Sequence, residues 1–145
     1  MTRKFSTEVL VQWADVDLAG VVYFPHFFRY FSIAEAAFYR SMGPTMSELG
    51  ESLEIYLPRL DAHCRYIKPV HFGDQLQIEL SIDHIGDKTI KYLFEVTRSQ
   101  DLVAQGHLVI ISVSISDFKP TPLPTRLREM LEPYAPSKNM SEEKG

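Results

Sequence analysis

Between Trp13 and Gly43 the chain reads WADVDLAGVVYFPHFFRYFSIAEAAFYRSMG, with two aspartates and a glycine immediately ahead of one long run of helical periodicity. No other stretch repeats that design. Phe27, Tyr30, Phe31, Ala34, Ala37 and Phe38 share one face at spacings of three and four, while Arg29, Ser32, Glu35, Ala36 and Arg40 fall largely on the other. Proline is favoured at the first helical position, where its missing N–H would have had no partner, so Pro25 marks the start. Gly43 followed by Pro44 marks the stop. The spacing predicts a helix over 25–42, about 27 Å long at the usual rise. An apolar stripe of that length needs a cover of similar extent.

Strands with one dry face supply it. Phe5, Thr7, Val9, Val11 and Trp13 alternate with polar neighbours, which predicts a first strand ending at Ala14. Asp15, Asp17 and Gly20 then turn the chain before the helix begins. After a polar connector over 45–52 with room for a short turn of helix, a second strand is expected over 57–67, with Pro58 near its start and Pro69 past its end. Leu76, Ile78, Leu80 and Ile82 give the clearest strand. Ile85-Gly86-Asp87-Lys88 makes a hairpin into Ile90, Tyr92, Phe94 and Val96, and Ser99–Asp101 turns into a last strand over 103–116. That strand is apolar on both faces, which places it inside the sheet or at an interface. The segment KPTPLP cannot pair, and TRLREMLEPY suits a short surface helix. The plan is α+β: one helix on a five-stranded antiparallel sheet, its last four strands in meander. It makes one domain over 1–134, with a polar, disordered tail over 135–145.

A chain of 145 residues fits that single core. With 15 Lys and Arg against 19 Asp and Glu, its formal charge of -4 offers no basic field to a nucleic acid. One cysteine, Cys64, makes no internal disulfide, and the N-terminus lacks the apolar core of a signal peptide. No apolar run is long enough for a membrane span. A cytoplasmic protein is expected. His63, His71, His84 and His107 have neither metal-ligand spacing nor cysteine partners, so no metal is expected, and Cys64 reads as a small buried apolar side chain.

A carboxylate needs no base to deprotonate it before it attacks a carbonyl or accepts a proton. The first turn of a helix has unpaired N–H groups that can polarise a carbonyl and hold the oxyanion that forms. Gly20 permits the tight turn that joins the two features. Together they describe acyl transfer or hydrolysis. Asp-x-Asp between a strand and a helix is also ordinary turn and capping chemistry, and that is the reading for Asp15.

The stretch ADVDLAGVVYFPHFFRYF resembles the signature of hotdog-fold acyl-CoA thioesterases of the 4-hydroxybenzoyl-CoA thioesterase-like family, with its Asp-x-Asp-x-x-Gly-x-Val-Tyr pattern. The resemblance implies a sheet wrapped around the helix, pairing of two subunits through their sheets, and an active site at each dimer interface. It makes Asp17 the nucleophile or general base and directs the backbone N–H of Phe24 at the thioester oxygen. Gly20, Val22, Tyr23, Pro25, His26 and Phe27 then surround the acyl group, with Leu57 and Pro58 as further contacts. Tyr-Phe-Pro-His looks like the branch that cleaves aromatic acyl-CoA; short-chain enzymes carry a histidine directly after the tyrosine. Where the family commonly has Glu and Arg on the helix, this chain has Ser32 and Glu35, and Glu35 is read as a surface or dimer contact.

The phosphates of coenzyme A need a local basic patch on an acidic protein. Lys88 with Thr89 at the hairpin tip matches a nucleotide site in related thioesterases, with Lys68, Arg65, Lys91 and Arg98 as further candidates. No cofactor is expected beyond the coenzyme A of the substrate. The apolar last strand suggests that dimers assemble into a homotetramer. Two rival functions share the fold: an enoyl-CoA hydratase or dehydratase using His26 and Glu35, and a non-catalytic acyl-CoA-binding module.

Overall fold

The computed structural model describes residues 3–136, so most of the tail expected over 135–145 lies outside the described residues. Seven strands and three α-helices follow one another: β1 (Phe5–Leu10), α1 (His26–Ser41), α2 (Met46–Leu53), β2 (Ile55–Tyr56), β3 (Arg59–Tyr66), β4 (Gln75–Ile85), β5 (Thr89–Arg98), β6 (Asp101–Ile111), β7 (Val113–Ser114) and α3 (Thr125–Leu131).

Five strands form one antiparallel sheet in the order β1-β4-β5-β6-β3. This corrects the meander. β4 and β5 continue as hairpins through to β6, but β3 pairs with β6 at the far edge and β4 pairs with β1. Alternation along a strand fixes which face is buried and says nothing about which neighbour lies beside it.

Helix α1 packs on one face of this sheet, against β1, β3 and β4. Tyr30, Phe31, Ala34 and Phe38 are fully buried against Ile78, Leu80, Tyr92 and Phe94. Phe31 stacks on Phe94 with ring centroids 4.5 Å apart and planes 7° from parallel. Gly106 on β6 makes that approach possible, since a Cβ there would lie 2.1 Å from the His63 carbonyl oxygen and 2.8 Å from the Phe31 ring.

Other boundaries move for local reasons. β1 stops at Leu10, short of the expected Ala14, because Trp13–Asp15 winds into a 3-10 turn capped by the Asp15 carboxylate on the Gln12 N–H. The connector after Pro44 is a full helix, α2, held by a capping box in which Thr45 and Glu48 each accept the other's N–H. The expected last strand breaks at Ser112, and its remainder, β7, pairs with β2 in a separate two-stranded ladder. No helix among the described residues is long and apolar enough to cross a membrane.

Candidate active site

Leaving β1, the chain builds a tight loop between two antiparallel bridges, Val16 with Val22 and Val21 with His71. Inside it the Asp17 N–H donates to the Val21 carbonyl at 2.9 Å, and Gly20 N–H returns to the Asp17 carbonyl at 2.9 Å. Gly20 has φ +80°, which only glycine adopts cheaply. One oxygen of the Asp17 side chain, Oδ1, accepts the Ala19 N–H at 2.8 Å. The other, Oδ2, has no partner among the described residues, and the side chain is exposed.

Asp15, two residues earlier, is 3% exposed and bonded at both oxygens. Its Oδ2 accepts from the Gln12 N–H at 2.9 Å and from the Tyr30 hydroxyl at 3.0 Å, and its Oδ1 accepts from Arg29. Burial alone would raise its pKa, but these bonds, with the Arg29 charge, outweigh it and hold the carboxyl below its ordinary value. The Asp15 carbonyl also takes the Tyr23 N–H at 2.8 Å, which ties the loop to the approach to α1.

That approach reverses one expectation about donors. The N–H groups of His26, Phe27 and Phe28 are consumed by the carbonyls of Tyr23, Phe24 and Pro25 at 2.9, 3.3 and 3.1 Å. The turn tightens before the helix opens, so these first-turn amides are spent. The N–H of Phe24, just ahead, has no acceptor among the described residues.

Asp17 and Phe24 meet in a cleft of about 410 Å³ with Val22, Phe27, Tyr66 and Lys68. Tyr66 is a member that the sequence reading missed. Its hydroxyl donates to the Phe24 carbonyl at 3.1 Å, clamping the peptide next to the free N–H. The β3 alternation could have found it, because Tyr66 shares a strand face with the partly buried Cys64. Lys68 reaches the cleft with its ammonium 3.3 Å from Asp101.

Other expected site residues lie elsewhere. Gly20 shapes the loop without lining the cleft, while Tyr23 and His26 pack on each other beside it, ring centroids 5.9 Å apart, with Pro25 between them in sequence. Leu57 and Pro58 lie at the opposite end of β3, where Leu57 lines a different cavity. Lys88 and Thr89 are also distant: Ile90 pairs with Ile110 while Val96 pairs with Ala104, so about 20 Å of strand separates the hairpin from the cleft. Of the further cations, Arg98 is bound to Asp74 at 2.8 Å and Lys91 lies 3.7 Å from Asp83.

Glu35 is a correction. It is 1% exposed, not a surface residue, and Arg59 grips both of its oxygens. Nine positions separate it from His26 on α1, about 13.5 Å along the axis, so the two form no acid-base pair within the chain. Cys64 is half-buried, and burial pushes its thiol up to about 11, which makes it a poor nucleophile.

Comparison with known proteins identifies the family. A 1,4-dihydroxy-2-naphthoyl-CoA hydrolase of Microcystis aeruginosa is 26% identical over 127 residues, spanning 86% of this chain and 90% of its own. The crystal structure of a gentisyl-coenzyme A thioesterase superposes with a TM-score of 0.78 at 25% identity, covering 86% of this chain and 99% of that one. A 1,4-dihydroxy-2-naphthoyl-CoA thioesterase from Synechocystis shares the fold at a TM-score of 0.82 and 24% identity, over 89% of this chain and 96% of its own. With a match to the family model over residues 11–131, from the end of the first strand through α3, the chain belongs to the thioesterase-like superfamily of hotdog-fold thioester hydrolases.

Proposed function

We propose that this thioesterase hydrolyses an aromatic, hydroxybenzoyl-like, or short-to-medium acyl-CoA to the free acid and coenzyme A. In this reading the Asp17 carboxylate attacks the thioester carbonyl, or activates the water that does. The Phe24 N–H donates to the oxygen as it becomes negative. The observation that carries the reading is the pairing of a carboxylate oxygen without a partner and a backbone N–H without an acceptor in one cleft. A preorganised donor of this kind contributes roughly 2.7–4 kcal/mol to acyl transfer. Val22 and Phe27 give that cleft apolar walls. The aromatic acyl group is supported by the two acyl-CoA relatives named for aromatic acids and by Tyr-Phe-Pro-His ahead of the helix.

The unpaired edge of β3 supports a homodimer in which two β3 strands join antiparallel, with a homotetramer as a further assembly. Such pairing carries the Lys88 hairpin of one copy toward the Asp17 cleft of the other. Lys88, Thr89 and Lys68 can then share the phosphates of coenzyme A. The reading places the enzyme in the cytoplasm and needs no cofactor beyond its substrate.

Thiol release from 4-hydroxybenzoyl-CoA and benzoyl-CoA tests it. Wild-type protein should release coenzyme A, and Asp17→Asn should not. Release at the parent rate by the variant removes Asp17 from the mechanism. Esters left intact for hours by the wild type leave only a binding module, and loss of enoyl-CoA absorbance without thiol release identifies a hydratase.

A further inference from the structure

A second cavity, of about 510 Å³, opens at the third turn of α1, with Ser32, Glu35, Met46, Tyr56, Leu57 and Arg59 among its walls. Its charged feature is the Glu35–Arg59 pair, sealed on the Glu35 side and open to solvent on the Arg59 side. The Glu35 side chain is 2% exposed and that of Arg59 33%. Glu35 Oε2 accepts from Arg59 Nη1 at 3.1 Å and Oε1 accepts from Nη2, while the Leu57 carbonyl accepts from Nη1 at 3.4 Å. Behind Glu35 the Tyr39 and Tyr92 hydroxyls bond each other at 2.6 Å, fully buried. A guanidinium has five N–H donors. Three are used here, so two remain without a partner among the described residues.

An ion pair open to solvent on its Arg59 side adds little to stability. Its place on a cavity wall, with donors left over, suits recognition. Yet Arg59 and Tyr66 are seven positions apart on β3, about 23 Å, so within one chain this cavity is out of reach of an aromatic acyl group held at Asp17. β3 has β6 on one side and no strand among the described residues on the other. An antiparallel pairing of two β3 strands along this edge, centred between Ala62 and His63, would set Arg59 of one copy opposite Tyr66 of the other. The cavity of one copy then adjoins the Asp17 cleft of its partner.

From this geometry we infer that Arg59, locked by Glu35, is a specificity contact supplied in trans, its free N–H groups binding an oxygen substituent on the acyl group cleaved at the Asp17 of the other copy. The inference rests on the thioesterase reading above. Because Glu35 neutralises Arg59, the pair suits a hydroxyl or carbonyl oxygen better than a free carboxylate. Arg59 touches the substrate, and Glu35 is a positioning residue.

The experiment compares kcat/KM for 4-hydroxybenzoyl-CoA with that for benzoyl-CoA in wild type, Arg59→Met, Arg59→Lys and Glu35→Gln. The ratio is insensitive to the fraction of folded protein. It should fall on the order of tenfold to a hundredfold in Arg59→Met, chiefly through KM, with part of the loss restored by lysine and a smaller fall in Glu35→Gln. An unshifted ratio in an active Arg59→Met enzyme overturns this inference alone, whereas wild-type protein that cleaves no acyl-CoA overturns the thioesterase reading as well. Subunit exchange between Asp17→Asn and Arg59→Met tests the trans arrangement. Mixed dimers then hold one intact site, so 4-hydroxybenzoyl-CoA hydrolysis should rise above the sum of the separate variants, and no rise on confirmed exchange rejects it.

Discussion

Asp15 and Asp17 stand two residues apart in one loop and have opposite surroundings. Asp15 is sealed beneath the loop with three hydrogen-bond donors on its two oxygens, and Asp17 lies exposed in the cleft with one oxygen holding the turn and the other unpaired. The difference comes from the backbone. The 3-10 turn points Asp15 back at α1, where Arg29 and Tyr30 wait on the second helical turn, and the reversal at Gly20 points Asp17 outward. A carboxylate buried among donors is out of reach of a substrate, and one left open in a cleft is not.

The largest effect that would sharpen this contrast is on turnover. Asp17→Asn keeps the Oδ1 acceptor for Ala19 and removes the charge, so kcat should fall by at least about a thousandfold, within the range seen when a nucleophile or base is removed. Its thermal midpoint should stay within a degree or two of wild type, measured by circular dichroism. Asp15→Ala should do the reverse. It strands the Tyr30 hydroxyl and the Gln12 N–H, while Arg29, half exposed, is rescued by water. A loss of about 2–3 kcal/mol is expected, or roughly 6–10 °C in midpoint. Equal loss of stability in both variants would break the comparison.

How far could this be seen beforehand? The α1 stripe, the dry faces of β4 and β5 and the structural place of Asp15 in its loop follow from periodicity and motif. Those signals are local. The position of β3 at the sheet edge is a matter of partner choice, which alternation leaves open, and the sealing of Glu35 depends on Arg59, 24 residues away. Tyr66 joined the cleft in the same way, through a hydroxyl that reaches Phe24 across 42 residues. The spent N–H groups of the first helical turn were hidden for another reason. Pro25 gives the start of α1 but not whether the turn before it closes on itself.

Gly20 offers a smaller effect on the same loop. A Cβ there would meet nothing within 4 Å, so Gly20→Ala is resisted only by its positive φ. Holding alanine in the left-handed region costs about 1–2 kcal/mol, and the loop can relax to avoid part of it by releasing Asp17. Thiol release should therefore fall severalfold with a midpoint only a few degrees lower. Gly20→Asn, which tolerates that conformation, should recover most of the rate. Similar losses in both variants would mean that side-chain bulk, not backbone conformation, sets the loop.

The smallest effect is in acid. The folded state holds the Asp15 carboxyl below its ordinary value of 3.8, so the unfolded chain takes up this proton first as pH falls. Stability from Asp15 is therefore fully present above about pH 4 and drains away as pH drops through the lower folded value. Urea titrations between pH 6 and pH 2.5 should show wild type losing stability more steeply than Asp15→Asn in the lower half of the range, by at most about 1.4 kcal/mol per pH unit, the limit for one proton. Asp74 also has a lowered pKa: burial opposes the shift, but the His71 N–H and Arg98 outweigh it, and it contributes an acid limb of the same sign to both proteins. The difference between the two curves isolates Asp15. Parallel curves would mean that Asp15 gains nothing from its donors on folding, and its burial would then be all that sets it apart from Asp17.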